Sequence, residues 1–208
     1  ERGDAGGGDD GLIVMMNGAS TDPNSARLAD GALAVLGDRV RIGASYDTAG
    51  WNPRNAYANT AGAIAALGPD RIDAVYAAND GLASGVVAAL KAASIEPLPP
   101  VTGQDADLGA VQRIVAGDQY MTVFKDFADQ AGAAAEMAVA LGRGEPLDDV
   151  AGEVVANGTS DAIPAVLLTP VPVTVDDIRD TVVKAGMLTV EQICTPRYET
   201  ACERAGLR

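Results

Sequence analysis

Apolar and polar stretches alternate along this chain in a recurring order. A short apolar run comes first, then a polar tip, then a segment whose apolar residues recur at helical spacing. Residues 12–16 (LIVMM) are apolar throughout, as a strand covered on both faces requires. The polar loop 17–24 (NGASTDPN) follows. Residues 25–36 then place Leu28, Ala32, Val35 and Leu36 on one helical face, with Gly37 as the stop. The unit repeats as strand 40–44, loop 45–52 and a helix from Pro53 to about Leu67, capped by Asn52 and ended by Gly68-Pro69. It repeats again as strand 72–77, tip Asn79-Asp80 and helix 81–93. A Pro-rich linker, 97–100, leads to Val101 and the tip Gly103-Gln104-Asp105-Ala106-Asp107. After it Leu108, Val111, Ile114 and Val115 are spaced for one buried face. Residues 120–124 (YMTVF) predict a fifth strand ending at Lys125, and residues 127–141 a long Ala-rich helix.

Residues 147–163 show no clear period. Residues 166–173 (VLLTPVPV) read as extended, and Pro170 and Pro172 suit an edge or crossing strand. Thr174 is placed to cap a helix over 175–185, with Asp176 and Asp177 in its first turn, and a last short helix starts near Thr189. Five strand–tip–helix units in succession predict an α/β fold with a parallel sheet and helices on both faces.

In open parallel sheets ligands bind beyond the carboxyl ends of the strands. The tips there carry Asp22 and Asn24, then Trp51, then Asn79 and Asp80, then Gln104 and Asp105, then Lys125. One flat aromatic, several carboxylates and amides and one ammonium suit a neutral, polyhydroxylated ligand: an indole packs on the C–H face of a sugar, and the polar groups bond its hydroxyls. Each residue also has a purely structural explanation. Asp105 or Asp107 can cap the helix that follows, and so can Asn79 or Asp80. Asp22 can hold the Asp-Pro-Asn turn. Trp51 can be half-buried packing, and Lys125 an ordinary surface lysine.

Composition narrows the choice. With 48% hydrophobic residues a sizeable core is possible, yet no apolar run reaches the ~18 residues of a membrane span. The formal charge is −14, from 15 basic and 29 acidic residues, and no basic stripe is present, which argues against nucleic acid and anionic lipid. The absence of histidine excludes Ser-His-Asp and Cys-His catalysis and any His-based metal site. No GxGxxG or GxxxxGK[ST] lies at a strand–helix turn, and the tips are acidic, so phosphate is a poor fit. Cys194 and Cys202 either pack as reduced thiols or form a disulfide. Their polar, turn-prone neighbours suggest a surface location and favour the bridge, which implies an oxidising compartment. Residues 1–11 (ERGDAGGGDDG) predict a flexible tail, no signal peptide is present, and the chain reads as a segment of something longer.

Quoted in order, certain residues resemble a known family. They are Gly18 with Asp22 and Asn24; Gly50-Trp51 with Pro53 and Asn55-Ala56; Ile72-Asp73-Ala74-Val75 with Ala78-Asn79-Asp80; the run 103–108 (GQDADL) with Arg113-Ile114; Met121-Thr122-Val123 with Lys125; 167–170; and Asp180-Thr181-Val182. The sequence resembles the D-xylose-binding type of periplasmic (type I) sugar-binding proteins of ATP-binding cassette importers, from about residue 12 to 190. The tail with Cys194 and Cys202 is similar to that of actinobacterial members. The resemblance implies a Rossmann-like lobe of a type I periplasmic binding protein, with most of the first lobe missing. Residues 12–125 and 169–208 would form the second lobe, and 126–168 would pack on the absent one. By the same resemblance Asn24, Trp51, Asn79, Asp105 and Lys125 are sugar contacts, joined by Asp22 and Gln104. The implied ligand is xylose or a similar monosaccharide, and the implied partner a membrane permease. The implied location is periplasmic or extracellular, with a lipid anchor in the full-length parent. No catalytic residue, metal ligand or cofactor is expected. Two rivals remain: a sugar-sensing domain of a transcription regulator, which shares the fold but needs a basic helix-turn-helix, and an α/β enzyme using the acidic rim with Mg²⁺.

Overall fold

The computed structural model describes residues 12–37 and 39–208; the tail expected over residues 1–11 lies outside the described residues. At its centre is β1 (Leu12–Asn17), all six of whose residues are buried. It pairs in parallel with β2 (Arg41–Asp47) on one side and β3 (Ala74–Ala77) on the other. The three strands are joined by α1 (Pro23–Leu36) and α2 (Pro53–Leu67), and β3 leads into α3 (Asp80–Ala92). Val14 and Met16 enter a core built with Ala56 and Ala63 of α2 and Leu82, Val86 and Leu90 of α3. Met15 projects to the other face by strand alternation and is just as buried. A run of apolar residues without alternation is therefore what this strand needs.

The sheet is smaller than the pattern predicts. The fourth apolar run contributes one parallel bridge, Val75 to Val101, not a full strand. Pro99 and Pro100 have no N–H to give to a ladder. Pro100 can only accept, from Val75 N, and Thr102 N donates back to Val75 O. One step further the Thr102 hydroxyl replaces the backbone, accepting from Ala77 N at 3.0 Å and donating to Ala77 O at 3.2 Å.

The described residues divide into two compact units, 12–124 with 172–208, and Lys125–Val171. The second unit holds the long helix and a small hairpin. After α4 (Leu108–Ala116) and β4 (Thr122–Phe124) of the first unit, α5 (Phe127–Arg143) is capped by Asp126, whose side chain accepts from Ala128 N and Asp129 N. It ends at Gly144, in the left-handed conformation. Its one buried residue is Ala140, while Phe127, Val139 and Leu141 are exposed. Then β5 (Glu153–Val155) and β6 (Ile163–Ala165) pair antiparallel, in a segment with no legible period.

The first unit has a second core. Its β4 pairs with β7 (Val171–Val173) and not with the central sheet, which corrects the expected fifth parallel strand. Val111 and Ile114 of α4, Phe124 and Val173 pack there with Ile178, Val182 and Ile193. The helix expected over 175–185 is a series of turns followed by a π-helix, Arg179–Val183. Thr174 does not cap it: its N–H and hydroxyl both donate to Asp177 Oδ2, at 2.9 and 2.7 Å. The wider helix is closed by bonds such as Val183 N to Ile178 O and Lys184 N to Arg179 O.

Further on, α6 (Val190–Ile193) is opened by a capping box of Thr189 and Gln192, as the start near Thr189 predicts. A second short helix, α7 (Glu199–Arg204), follows it. Cys194 and Cys202 are joined by a disulfide across 5.8 Å between Cα atoms. Both are fully buried in the second core, so their polar neighbours misdirect the expectation of a surface location. The flanking Glu199 and Glu203 are exposed and Thr195 half-buried.

Two glycines test how the first core is packed. A Cβ on Gly85 of α3 would lie 2.1 Å from Pro53 O of α2, whereas one on Gly31 of α1 would meet nothing. Gly31→Ala is expected to stabilise by about 0.5–1 kcal/mol through helix propensity. Gly85→Ala, despite the same propensity gain, is expected to destabilise by about 1–3 kcal/mol because backbone must move. Denaturant unfolding of the two variants, with opposite shifts in midpoint, checks this.

Candidate functional site

The tips after β1 and β2 are tied into one knot. Asp22 caps α1 through Oδ1, which accepts from Asn24 N at 2.9 Å, and Pro23 follows at the first helical position, where its missing N–H costs nothing. Its second oxygen, Oδ2, accepts from Trp51 Nε1 at 3.1 Å. The cap and the indole are thus held by one carboxylate. Thr48 N donates to Asn17 O and Gly18 O, and Trp51 N to Thr48 O, which draws the second tip over the end of β1. The six-membered ring of Trp51 occupies the space a side chain at 18 would take: a Cβ there would lie 2.1 Å from it. The ring is half-buried, packed on the edge of the first core with part of its surface accessible. Its backbone is left-handed, at φ 54°, directly after Gly50 at 64°. Asn52 then caps α2, accepting from Arg54 N.

The tips after β3 and after Val101 form a second knot around Asp80. Asn79 caps α3, its Oδ1 accepting from Leu82 N at 2.9 Å. Asp80, one residue later, is 1% exposed and does not cap. Its Oδ1 accepts from Gln119 Nε2 at 2.9 Å. Its Oδ2 accepts from Thr122 Oγ1 at 2.8 Å and from Asp107 N at 3.0 Å. Its main chain is engaged as well, N–H to Gln104 O and O from Arg113 Nη2. Asp107 caps α4, accepting from Ala110 N at 2.6 Å, which leaves Asp105 at the tip itself. There Asp105 N donates to Val123 O, and Asp105 and Ala106 both have positive φ, 105° and 54°. Left-handed backbone at non-glycine residues is costly and collects where function requires it.

Of the expected contacts, Asp22 and Trp51 are joined directly by a hydrogen bond, and Asn24 sits exposed in the first turn of α1 beside them. Asn79, Gln104 and Asp105 belong to the second knot, and Gln104 and Asp105 are half-buried. Lys125 follows β4 directly, is half-buried and opens the second unit. Pattern reading missed Gln119 and the central place of Asp80. Nothing in the spacing marks a carboxylate that serves three later segments. The one signal available was Gly103, whose added Cβ would lie 2.0 Å from Asp80 Oδ1. A cleft of about 830 Å³ is lined by Lys91, Glu96, Pro97, Leu98, Asp118 and Tyr120 among others, and of the second knot it includes Gln119. Among the described residues no group of three or more acidic or cysteine side chains could hold a metal ion.

Burial pushes the Asp80 carboxyl up to about 6, against the opposing bonds from Gln119, Thr122 and Asp107 N, with the Asp107 charge adding to the rise. The folded state therefore holds this proton more tightly than the unfolded chain does. The stabilisation is present below the ordinary 3.8 and is lost as pH rises through about 6. Asp80→Asn cannot titrate. The stability of the wild type relative to that variant should be greater near pH 4.5 than near pH 7.5, by about 2 kcal/mol. Denaturant unfolding of both proteins at the two pH values measures it.

Residues 3–146 match the periplasmic binding protein domain family. The chain is 38% identical over 182 residues to the D-xylose-binding periplasmic protein of Escherichia coli (strain K12), covering 85% of this chain and 54% of that protein. It is 30% identical over 197 residues to the multiple sugar-binding periplasmic receptor ChvE of Rhizobium radiobacter, covering 87% and 55%. An ABC transporter solute-binding protein from Clostridium phytofermentans, solved with bound β-D-glucose, superposes with a TM-score of 0.77 at 27% identity, covering 90% of this chain and 61% of that one. The chain thus spans about half the length of the relatives it matches. Such proteins bind their ligands and are not enzymes. With its parallel α/β sheet and the match over most of its length, this chain belongs to the periplasmic binding protein domain family.

Proposed function

We propose that this chain is the second lobe of an extracytoplasmic receptor that captures xylose or a related monosaccharide for an ABC importer. The observation that carries the reading is the Trp51 indole, seated on Gly18 with its N–H held by Asp22, at the carboxyl ends of the strands. A ring fixed this way offers a rigid apolar face for the C–H side of a sugar. Asn24, Asn79, Gln104, Asp105 and Lys125 would bond its hydroxyls, together with Asp22 where its lone pairs allow. The sugars named for the relatives, xylose and glucose, share this chemistry. The buried disulfide suits an oxidising compartment. A permease would be the partner, with the receptor kept near it by an anchor on the parent polypeptide.

In this reading a first lobe supplies the opposite wall, and the segment 126–168 packs on it. The exposed Phe127, Ala134 and Leu141 of α5 support that role. A single wall leaves the sugar wet, and each hydroxyl contact then competes with water for a net gain of roughly 0.5–1.5 kcal/mol. Calorimetric titration with xylose should therefore show the two-lobe polypeptide binding at least roughly tenfold more tightly than the 208-residue chain. Equal affinity would overturn the two-lobe reading.

Trp51 is the single tryptophan of these 208 residues, so a sugar-induced emission change that Trp51→Phe abolishes reports this site. Sugar binding should change its emission in the two-lobe polypeptide. Trp51→Ala should weaken binding by about tenfold or more, and Trp51→Phe, which keeps a ring but loses the bond to Asp22, by less. Wild-type affinity in the Ala variant would remove the stacking role.

A further inference from the structure

We propose that Asp80 is a positioning residue for sugar capture, its carboxylate holding the Asp105–Ala106 turn in the left-handed conformation that presents Asp105 to the ligand. This rests on the function proposed above. Asp80 itself is 1% exposed and is not counted among the sugar contacts.

The geometry is that of a clasp with both carboxylate oxygens engaged. One oxygen takes the Gln119 amide, and the other takes the Thr122 hydroxyl and the Asp107 N–H. The turn is thereby gripped from both sides: Asp80 N–H donates to Gln104 O ahead of Asp105, and Asp80 Oδ2 takes the N–H of Asp107 behind it. Between these two bonds lie the residues at φ 105° and 54°. Thr122 Oγ1 also accepts from Ala106 N at 3.1 Å, so the hydroxyl relays the carboxylate's grip to the second of them. Gly103 allows the approach, because any side chain there would displace the carboxylate. An asparagine at 80 is the same size but sets an NH₂ against an N–H or O–H donor whichever way it turns. Released from the carboxylate, the turn is free to relax toward ordinary backbone, and the share of molecules ready to bind sugar falls.

Protonation of Asp80 weakens the same acceptors. The charged groups that face it are the Asp107 carboxylate, from the start of α4, and the Arg113 guanidinium, from within that helix, whose Nε also holds Gln119 Oε1. The segment leading into β4 presents the Gln119 amide and the Thr122 hydroxyl. On its own helix Lys91 is paired with Asp118 at 2.6 Å. Burial pushes the Asp80 carboxyl up to about 6, so the grip loosens as pH falls through that value.

The test uses the two-lobe polypeptide and D-xylose, with hydrogen exchange at the Ala106 and Asp107 amides as a readout that needs no sugar. In the wild type, Kd should rise roughly fourfold as pH falls from about 7.5 to about 5.5 and roughly tenfold by about 5.0, and both amides should lose protection, measured against the unstructured exchange rate at each pH, over the same range. Asp80→Asn should show the weak affinity and low amide protection at every pH. Thr122→Val should weaken binding without a change of charge, and Thr122→Ser should restore it. The wild-type profile keeps the test valid even if Asp80→Asn fails to fold. A wild-type Kd that is flat across this range, or Asp80→Asn with wild-type affinity and exchange, overturns the proposal. If the wild type binds no monosaccharide, the functional reading fails, and strong protection at the two amides that does not change with pH would sink the clasp separately.

Discussion

The burial of β1 on both faces is the constraint from which the first unit follows. Six consecutive buried residues leave no solvent for their backbone groups, so these groups find partners in β2, in β3 and in the residues that flank them, such as Asp73, Ala78 and Thr48. Parallel neighbours force long crossovers, and these are the helices α1 and α2. The crossovers return every strand in the same direction. Their polar starts therefore gather at the carboxyl ends, where no side chain can join the apolar layers. The site is a by-product of how a buried strand is satisfied.

At that edge the chain is held less by apolar contact than by two carboxylates. Asp22 joins the first two tips through the α1 cap and the Trp51 indole, and Asp80 joins the next two through Gln119, Thr122 and Asp107. They solve the same problem in different surroundings. Asp22 is half-buried, whereas Asp80 is buried deeply enough for its carboxyl to be pushed up to about 6. A buried carboxylate is tolerated only where donors converge on it, and here three do. Positive φ at Trp51, Asp105 and Ala106 falls at these two knots. Backbone of that kind persists only when its surroundings over-determine it.

The second core is organised differently. Its elements are short, one helix is of the π type, and a disulfide lies inside it. Short helices are marginal on their own. The bridge between Cys194 and Cys202 links α6 to α7 and so limits the freedom of the unfolded chain where propensity is weak.

Much of this was legible in the sequence, for identifiable reasons. The run at 12–16 could be read as a covered strand because burial on two faces demands unbroken hydrophobicity. The caps Asn52, Asn79 and Asp107 could be read because a cap acts within three residues of itself. The set of tip residues followed from the order of strands and helices, and their resemblance to sugar-binding receptors from GQDADL and its flanking pieces. Other features depend on partners far along the chain. Local pattern could not tell that β4 would pair with β7, or that polar-flanked cysteines would be buried. It named Asp80 as one of the rim residues or a possible cap and not as a strut, since the Gln119 and Thr122 that define its role lie about forty residues away and meet it only in the folded chain. The sequence by itself determined which residues stand at the strand ends, because alternation, caps and breaks are local. Only the tertiary structure decided which of those carboxylates faces outward and which is buried as a strut, because burial is a property of neighbours brought together by folding.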